Sequence, residues 1–269
     1  ESPPRPVVST NERVRGPVPD GGGFARARRR AASRDARRSG ARPVAGAPAA
    51  LASGCGSEDI ISDKVASWAY AEAFVPTDDV LLRAADRADQ LGAGTVSSGT
   101  GALLSALAAA ARATAVVEIG TGTGVAGLWL LRGMSPDGVL TTIDPEAEHQ
   151  RAAREAFTEA GVKPTRVRTI TGRPLEVLPR LADAAYDLVV AGGDPLDLAE
   201  HVEQALRILR PGGMLVVVHA LGDDRVPDPA RRDEVTTALR EVARHLRDDE
   251  RVVPALLPTG DGVLLAVKR

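Results

Sequence analysis

Residues 116–144, VVEIGTGTGVAGLWLLRGMSPDGVLTTID, constrain this chain more than any other stretch. The apolar β-branched run over residues 115–119 predicts a strand buried on both faces of a parallel sheet. Gly120-Thr121-Gly122-Thr123-Gly124 follows, a loop in which every second residue lacks a Cβ and the backbone can approach a ligand closely. A helix over residues 125–134 then points its unpaired amides, and the positive end of its dipole, at that loop. A second strand over residues 139–143 ends on Asp144, which a right-handed crossover brings beside the loop. A carboxylate there can accept hydrogen bonds from both hydroxyls of a ribose. The unit predicts a nucleoside site.

Two nucleosides compete for it. Gly122, Gly124 and Gly127 satisfy the Gly-x-Gly-x-x-Gly spacing of dinucleotide sites. In that fingerprint the first glycine follows the strand directly, and here that residue is Gly120. Counted from Gly120 the sixth position is Val125, and the fingerprint fails. Glu118-x-Gly-x-Gly-x-Gly124 instead resembles the first motif of S-adenosylmethionine-dependent methyltransferases. A lone glycine motif decides little, so the rest of the chain must.

At 269 residues the chain accommodates one α/β domain and a tail. With 43% hydrophobic but only 3% aromatic residues, its core has to be built from Ala, Val and Leu. No apolar run approaches the roughly 18 residues that span a bilayer, so no membrane partner is expected. The single Cys55 excludes an internal disulfide and a cysteine-based zinc site. Residues 1–50 hold 11 Arg, no Lys and 4 acidic residues, a balance of +7; the whole chain is −2, which leaves −9 on residues 51–269. So acidic a domain is poorly suited to nucleic acid.

Residues 1–56 carry seven prolines, a Gly21-Gly22-Gly23 run and Arg28-Arg29-Arg30 with no hydrophobic period, the composition of a disordered basic tail. It has no aromatics alternating with the arginines to stack on bases. PVAGAPAALASGC ends like a lipoprotein cleavage site, but two prolines and two glycines make a poor inserting segment. The expectation is a tail without a role of its own, and a domain over residues 57–269.

That domain reads as covering helices over residues 62–73, 77–91 (N-capped by Thr77) and 101–112, with a flexible loop at 92–99. After Asp144 the alternation continues. Pro145 opens a helix to residue 160; strands follow at 165–171, 186–191 and 214–218; helices occupy 174–181, the region of Leu198–Leu209 and that of Val235–Leu246. Two last strands, 251–257 and 262–267, are joined by Thr259-Gly260-Asp261 as a hairpin. The fold class is α/β, a doubly wound Rossmann-like sheet with a C-terminal antiparallel hairpin and N-terminal covering helices.

EIGTGTGVAGLWLL, GVLTTIDPE, YDLVVAGGDP and LRPGGMLVVV, in that order, resemble class I methyltransferases. More narrowly, residues 60–268 are similar to the small-molecule O-methyltransferases related to catechol and caffeoyl-CoA methyltransferases, in their high-GC bacterial branch. The resemblance implies S-adenosylmethionine as cofactor. Val96 would contact its methionine end, and Glu118 its amino group or the loop that holds it. Gly120, Thr121, Gly122 and Gly124 would form the cradle, and Asp144 would bind the ribose. Pro145 would flank the adenine, and Gly172 and Arg173 lie near its edge.

The catalytic side departs from these relatives. They hold a divalent metal through an Asp-Ala-Asp at the fourth strand and an Asp-Asn after the fifth, with a lysine beside the first motif. Here the first aspartate is Gly192, the lysine position is Pro195, and Asp-Asn is Val218-His219. Only Asp194 persists, and one carboxylate with one imidazole suits Mg²⁺ poorly. No metal is expected. His219 is a candidate base for a phenol, or a histidine packed at a strand end. Asp194 could orient His219 or cap the helix starting near Leu196. His149, His201 and His245, among charged helical residues, read as solvated.

The leading reading is a cytoplasmic, homodimeric O-methyltransferase acting without metal on a small hydroxylated acceptor. Two alternatives stay open: a cofactor-binding relative that has lost its chemistry, and a nicotinamide oxidoreductase, which the position of Gly120 disfavours. Base methylation is disfavoured because Asp194-Pro195 is followed by Leu196 and Asp197 rather than Pro and an aromatic.

Overall fold

Alternation within each strand decides the layering. In the computed structural model, which describes residues 57–269, Val116, Leu188, Val190 and Val216 pack into one hydrophobic layer, and Val117, Ile119, Val189, Leu215 and Val217 into another on the opposite face. A strand buried this way on both sides reads as a continuous apolar run. Seven strands result: β1 (Ala115–Ile119), β2 (Val139–Asp144), β3 (Val167–Thr171), β4 (Tyr186–Ala191), β5 (Leu209–Val218), β6 (Val252–Leu257) and β7 (Val263–Lys268). Their order is β3-β2-β1-β4-β5-β7-β6, with the first five parallel and β7 antiparallel to both β5 and β6. The doubly wound sheet and its antiparallel end are as expected.

Helices α1 (Ser57–Glu72), α2 (Asp79–Leu91), α3 (Ser98–Ala110), α4 (Val125–Gly133) and α5 (Ala147–Glu159) precede β3, and α6 (Pro174–Val177), α7 (Leu198–Ile208) and α8 (Glu234–Asp248) follow it. Leu81, Leu104, Leu128, Trp129 and Phe157 bring α2 to α5 onto the first layer, while Leu198, Val202, Leu239 and Leu246 bring α7 and α8 onto the second. None of the described helices is long and apolar enough to cross a membrane. The tail expected over residues 1–56 lies outside the described residues.

Several boundaries differ from expectation for local reasons. Asp78, not Thr77, caps α2, its Oδ1 accepting the Leu81 amide at 3.0 Å; a carboxylate at that position also complements the helix dipole. Ser97 accepts the Thr100 amide and starts α3 at Ser98, so the expected 92–99 loop is shorter. Pro211-Gly212-Gly213 does not precede β5 but lies within it: Tyr186 pairs with Leu209, and regular register resumes at Leu188 with Met214.

The covering helices are fastened at the C-terminal edge of the sheet. Glu72, at the end of α1, accepts the Gly99 amide on one oxygen and the Gly260 amide on the other, both at 2.8 Å. One carboxylate thereby ties α1 to the start of α3 and to the β6–β7 turn.

Candidate active site

At the C-terminal ends of β1, β4 and β5 lies a small, partly open cavity. Gly94, Thr95 and Val96 close it from the loop before α3, Gly120 and Thr121 form its floor, and Val190, Gly192, Val218 and His219 bound the far side. Such crevices at strand ends are where open α/β sheets bind ligands.

The floor depends on glycine. Gly120 has φ of 87°, and a Cβ on it would stand 2.9 Å from the Gly192 carbonyl carbon. A side chain there would be strained and would drive β1 and β4 apart at the mouth of the site.

Beneath the floor runs a buried chain of polar groups. Gln150 Nε2 donates to Thr121 Oγ1 (2.8 Å), the Thr121 and Thr142 hydroxyls are 2.6 Å apart, and Thr142 Oγ1 donates to Glu118 Oε2 (2.5 Å). Where Thr142 donates to Glu118, Thr121 is the donor to Thr142. The chain ends on Glu118 Oε1, a fully buried oxygen with no hydrogen-bond partner among the described residues. Burial is the largest influence on this carboxyl and pushes it up to about 8. The Thr142 bond and the Gly127 amide oppose that rise, and the nearby Asp144 charge adds to it.

Asp144 is 4% exposed at the end of β2. Its Oδ2 accepts the Gly122 amide and its Oδ1 the Glu146 amide, each at 2.9 Å, and the His149 ring nitrogen Nδ1 lies 3.3 Å from Oδ1. The acid thus fixes the glycine loop. Pro145 is exposed beside it, the Gly172 amide donates to the Asp144 carbonyl, and Arg173 caps the short α6.

The comparisons with known proteins agree with this geometry. The O-methyltransferase family profile matches residues 79–269. This chain belongs to that family. A Mycobacterium ulcerans protein named as an O-methyltransferase is 55% identical over 200 residues, 74% of this chain and 89% of that one. A solved structure from Corynebacterium glutamicum is 37% identical with a TM-score of 0.70, covering 77% of this chain and 97% of the other. The O-methyltransferase TomG of Streptomyces achromogenes, solved with S-adenosylmethionine, is 30% identical with a TM-score of 0.68 over 76% of this chain and 96% of its own.

Most residues expected in the O-methyltransferase site do converge. Val96, Glu118, Gly120, Thr121 and His219 share the cavity, and Gly122 and Asp144 are bonded to each other at its edge. Asp194 is different. Its Oδ1 accepts the Leu196 amide at 2.9 Å and caps the turn Pro195–Asp197, so it is the cap and not the partner of His219. The carboxylate in reach of His219 is Asp261, with Nδ1 and Oδ2 3.5 Å apart. Two other histidines also depart from expectation. His149 is only 20% exposed in its side chain and faces Asp144. His201 is buried beneath Gly193, its ring nitrogens without partners among the described residues and its pKa held below the ordinary value by that burial.

Gly192 and Val218 stand where the metal-dependent relatives are expected to carry aspartates. A Cβ on Gly192 would sit 2.8 Å from Val218 Cγ2. The space is filled by a packed apolar contact. Among the described residues one group could bring three metal ligands together, Glu203, His245 and Asp249. None of them lines the cavity, and Arg251 already bridges both carboxylates.

Proposed function

We propose that this O-methyltransferase moves the methyl group of S-adenosylmethionine to a hydroxyl of a small molecule, phenols being the first class to test, and does so without a divalent metal. The observation that carries the reading is the buried, unpartnered Glu118 Oε1 beside a cavity floored by glycine backbone. Burial keeps this carboxyl protonated in the ligand-free protein; the ammonium of an amino-acid moiety is a donor that would take the place of that proton and be met by the carboxylate. Asp144 spends one lone pair of each oxygen on backbone amides, and with His149 Nδ1 also facing Oδ1 it is Oδ2 that keeps the freer lone pair for a ribose hydroxyl. Val96 lines the methionine end, Gly122 and Gly124 complete the cradle, Pro145 flanks the adenine, and Gly172 and Arg173 border its edge.

Bound there, S-adenosylmethionine would supply an activated methyl group, with the thioether of S-adenosylhomocysteine as the leaving group. The chain's own contribution is alignment and proton removal. The cavity walls would align the acceptor oxygen with the donated methyl, where much of the acceleration arises, and His219 would take the hydroxyl proton. With Gly192 and Val218 in contact, no pair of carboxylates among the described residues stands at these strand ends to hold a hard cation against its hydration shell. Residues 57–269 act as the catalytic domain of a cytoplasmic homodimer that binds no nucleic acid, and residues 1–56 take no part in chemistry.

The test is calorimetric titration with S-adenosylhomocysteine and with NAD, followed by methyl transfer to mono- and dihydroxylated phenols with and without EDTA. Binding of the first ligand with metal-free turnover is expected. Binding of NAD alone would overturn the reading.

A further inference from the structure

The turn between β6 and β7 reaches the end of β5, where His219 sits. His219 adopts φ of 57°, a left-handed conformation uncommon for a residue with a side chain and found where the surroundings enforce it. Here they do. The Gly222 amide donates to the His219 carbonyl, and the next two amides, Ala220 and Leu221, donate to the carbonyls of Gly262 and Asp261 at 3.0 and 2.9 Å. From the other side, Gly260 is held by Glu72 and the Thr259 carbonyl by the Thr100 hydroxyl. The turn is therefore clamped between the strand that carries His219 and the helices that cover the cavity.

Asp261 is fixed within that clamp. Its Oδ1 accepts the Asp223 amide at 2.6 Å, which leaves Oδ2 facing His219 Nδ1 at 3.5 Å. Asp223 pairs with Arg225 at 3.2 Å, Glu72 with two backbone amides, and Glu118 with Thr142. At 3.5 Å the pair is longer than a formed hydrogen bond; contacts between catalytic groups are often loose before substrate binds and tighten when it does.

We propose that Asp261 is the positioning residue for His219. It holds the proton on Nδ1 and leaves the Nε2 lone pair for the cavity that the ring lines. The proposal rests on His219 being the base. In the step it serves, Nε2 takes the acceptor's hydroxyl proton as the oxygen–methyl bond forms and the methyl–sulfur bond breaks, giving a methyl ether and S-adenosylhomocysteine. The imidazolium then returns its proton to water. A carboxylate behind the ring also stabilises that imidazolium, the logic of other base–orienter pairs. The same pairing explains how a chain without the metal ligands of its relatives can still activate a single hydroxyl.

The decisive variant is Asp261→Asn. Its amide oxygen can keep the Asp223 bond and the turn, while its NH₂ must face His219 Nδ1 as a donor and forces the proton onto Nε2. Histidine-labelled full chain, observed by ¹⁵N NMR over a pH series extended until the ring signals stop moving, reports the tautomer directly, with the His219 signal assigned by its loss in His219→Ala. The native chain should show the Nδ1–H tautomer and Asp261→Asn the Nε2–H tautomer. With 4-methylphenol as acceptor, kcat should fall roughly a hundred- to ten-thousand-fold, with KM and S-adenosylhomocysteine affinity unchanged. Added to His219→Ala, Asp261→Asn should cost nothing more. A tautomer that ignores Asp261→Asn overturns the proposal, as does a tautomer that flips with kcat intact. Full turnover in His219→Ala would instead defeat the base assignment beneath it.

Discussion

Replacing Glu118 with glutamine should make the ligand-free protein more stable, increasingly so as pH rises. Glu118 is buried, and its carboxyl is pushed from 4.5 up to about 8. Between those values the folded state keeps a proton that the unfolded state has released, so raising pH through this window pulls the equilibrium toward unfolding. Below it both states are protonated and the carboxyl costs nothing relative to an amide. At ~1.4 kcal/mol per pH unit, the deficit grows to about 3 kcal/mol at pH 7 and about 5 kcal/mol from pH 8 upward, where it levels off. That is a large part of an ordinary domain's stability. Glu118→Gln keeps the acceptor for Thr142 and removes the charge, so titrating groups that do not interact with Glu118 cancel in the comparison. The assay is urea unfolding of both proteins between about pH 5 and pH 9 at constant ionic strength. The difference should open with pH and then flatten. A difference that stays constant from end to end would falsify the assignment of a protonated, buried Glu118.

The remaining expectations concern ligand, metal and tail. Asp144→Ala should weaken S-adenosylhomocysteine binding ten- to a hundred-fold, about 1.5–3 kcal/mol for a lost charged acceptor; equal affinity by calorimetry would remove the ribose role. His219→Ala should lower turnover about a hundred- to ten-thousand-fold with that affinity intact, and activity abolished by EDTA and restored by Mg²⁺ would defeat the metal-free reading. A chain beginning at Ser57 should melt at the same temperature as the full chain; a fall of several degrees on differential scanning calorimetry would mean that residues 1–56 contribute to the domain.

What could be read in advance follows from where the information sits. The β1–loop–α4–β2 unit was legible because its determinants are contiguous: apolar runs for strands buried on both faces, and glycines at alternate positions before a helix. The helix starts were less so, since Thr77 and Asp78 both cap well and only the Asp78 bond to Leu81 chooses between them. His149 was within reach of sequence reasoning. It follows Asp144 by five residues, about the distance at which an early helical side chain folds back over the strand end it left, and it was passed over because its neighbours are charged. His201 misled for the same reason: its neighbours Glu200 and Glu203 belong to an amphipathic helix whose other face is core.

Asp261 belongs to a different class of information. Nothing near His219 in the chain announces a partner 42 residues on, and the nearer Asp194 offers a more economical guess. The pairing exists because β7 lies between β5 and β6 and runs antiparallel to β5, with Val218 opposite Val263, so the turn preceding β7 arrives at the residue following β5. The antiparallel end of the sheet is therefore more than an edge closure. With Gly192 packed against Val218 and Asp194 capping its own turn, the carboxylate that faces His219 has to reach the site from outside the β1–β4–β5 centre. The β6–β7 turn does so, and Glu72 and Thr100 fix its position against the covering helices. The groups that would admit the acceptor and the group that would orient the base are thus fastened to one another.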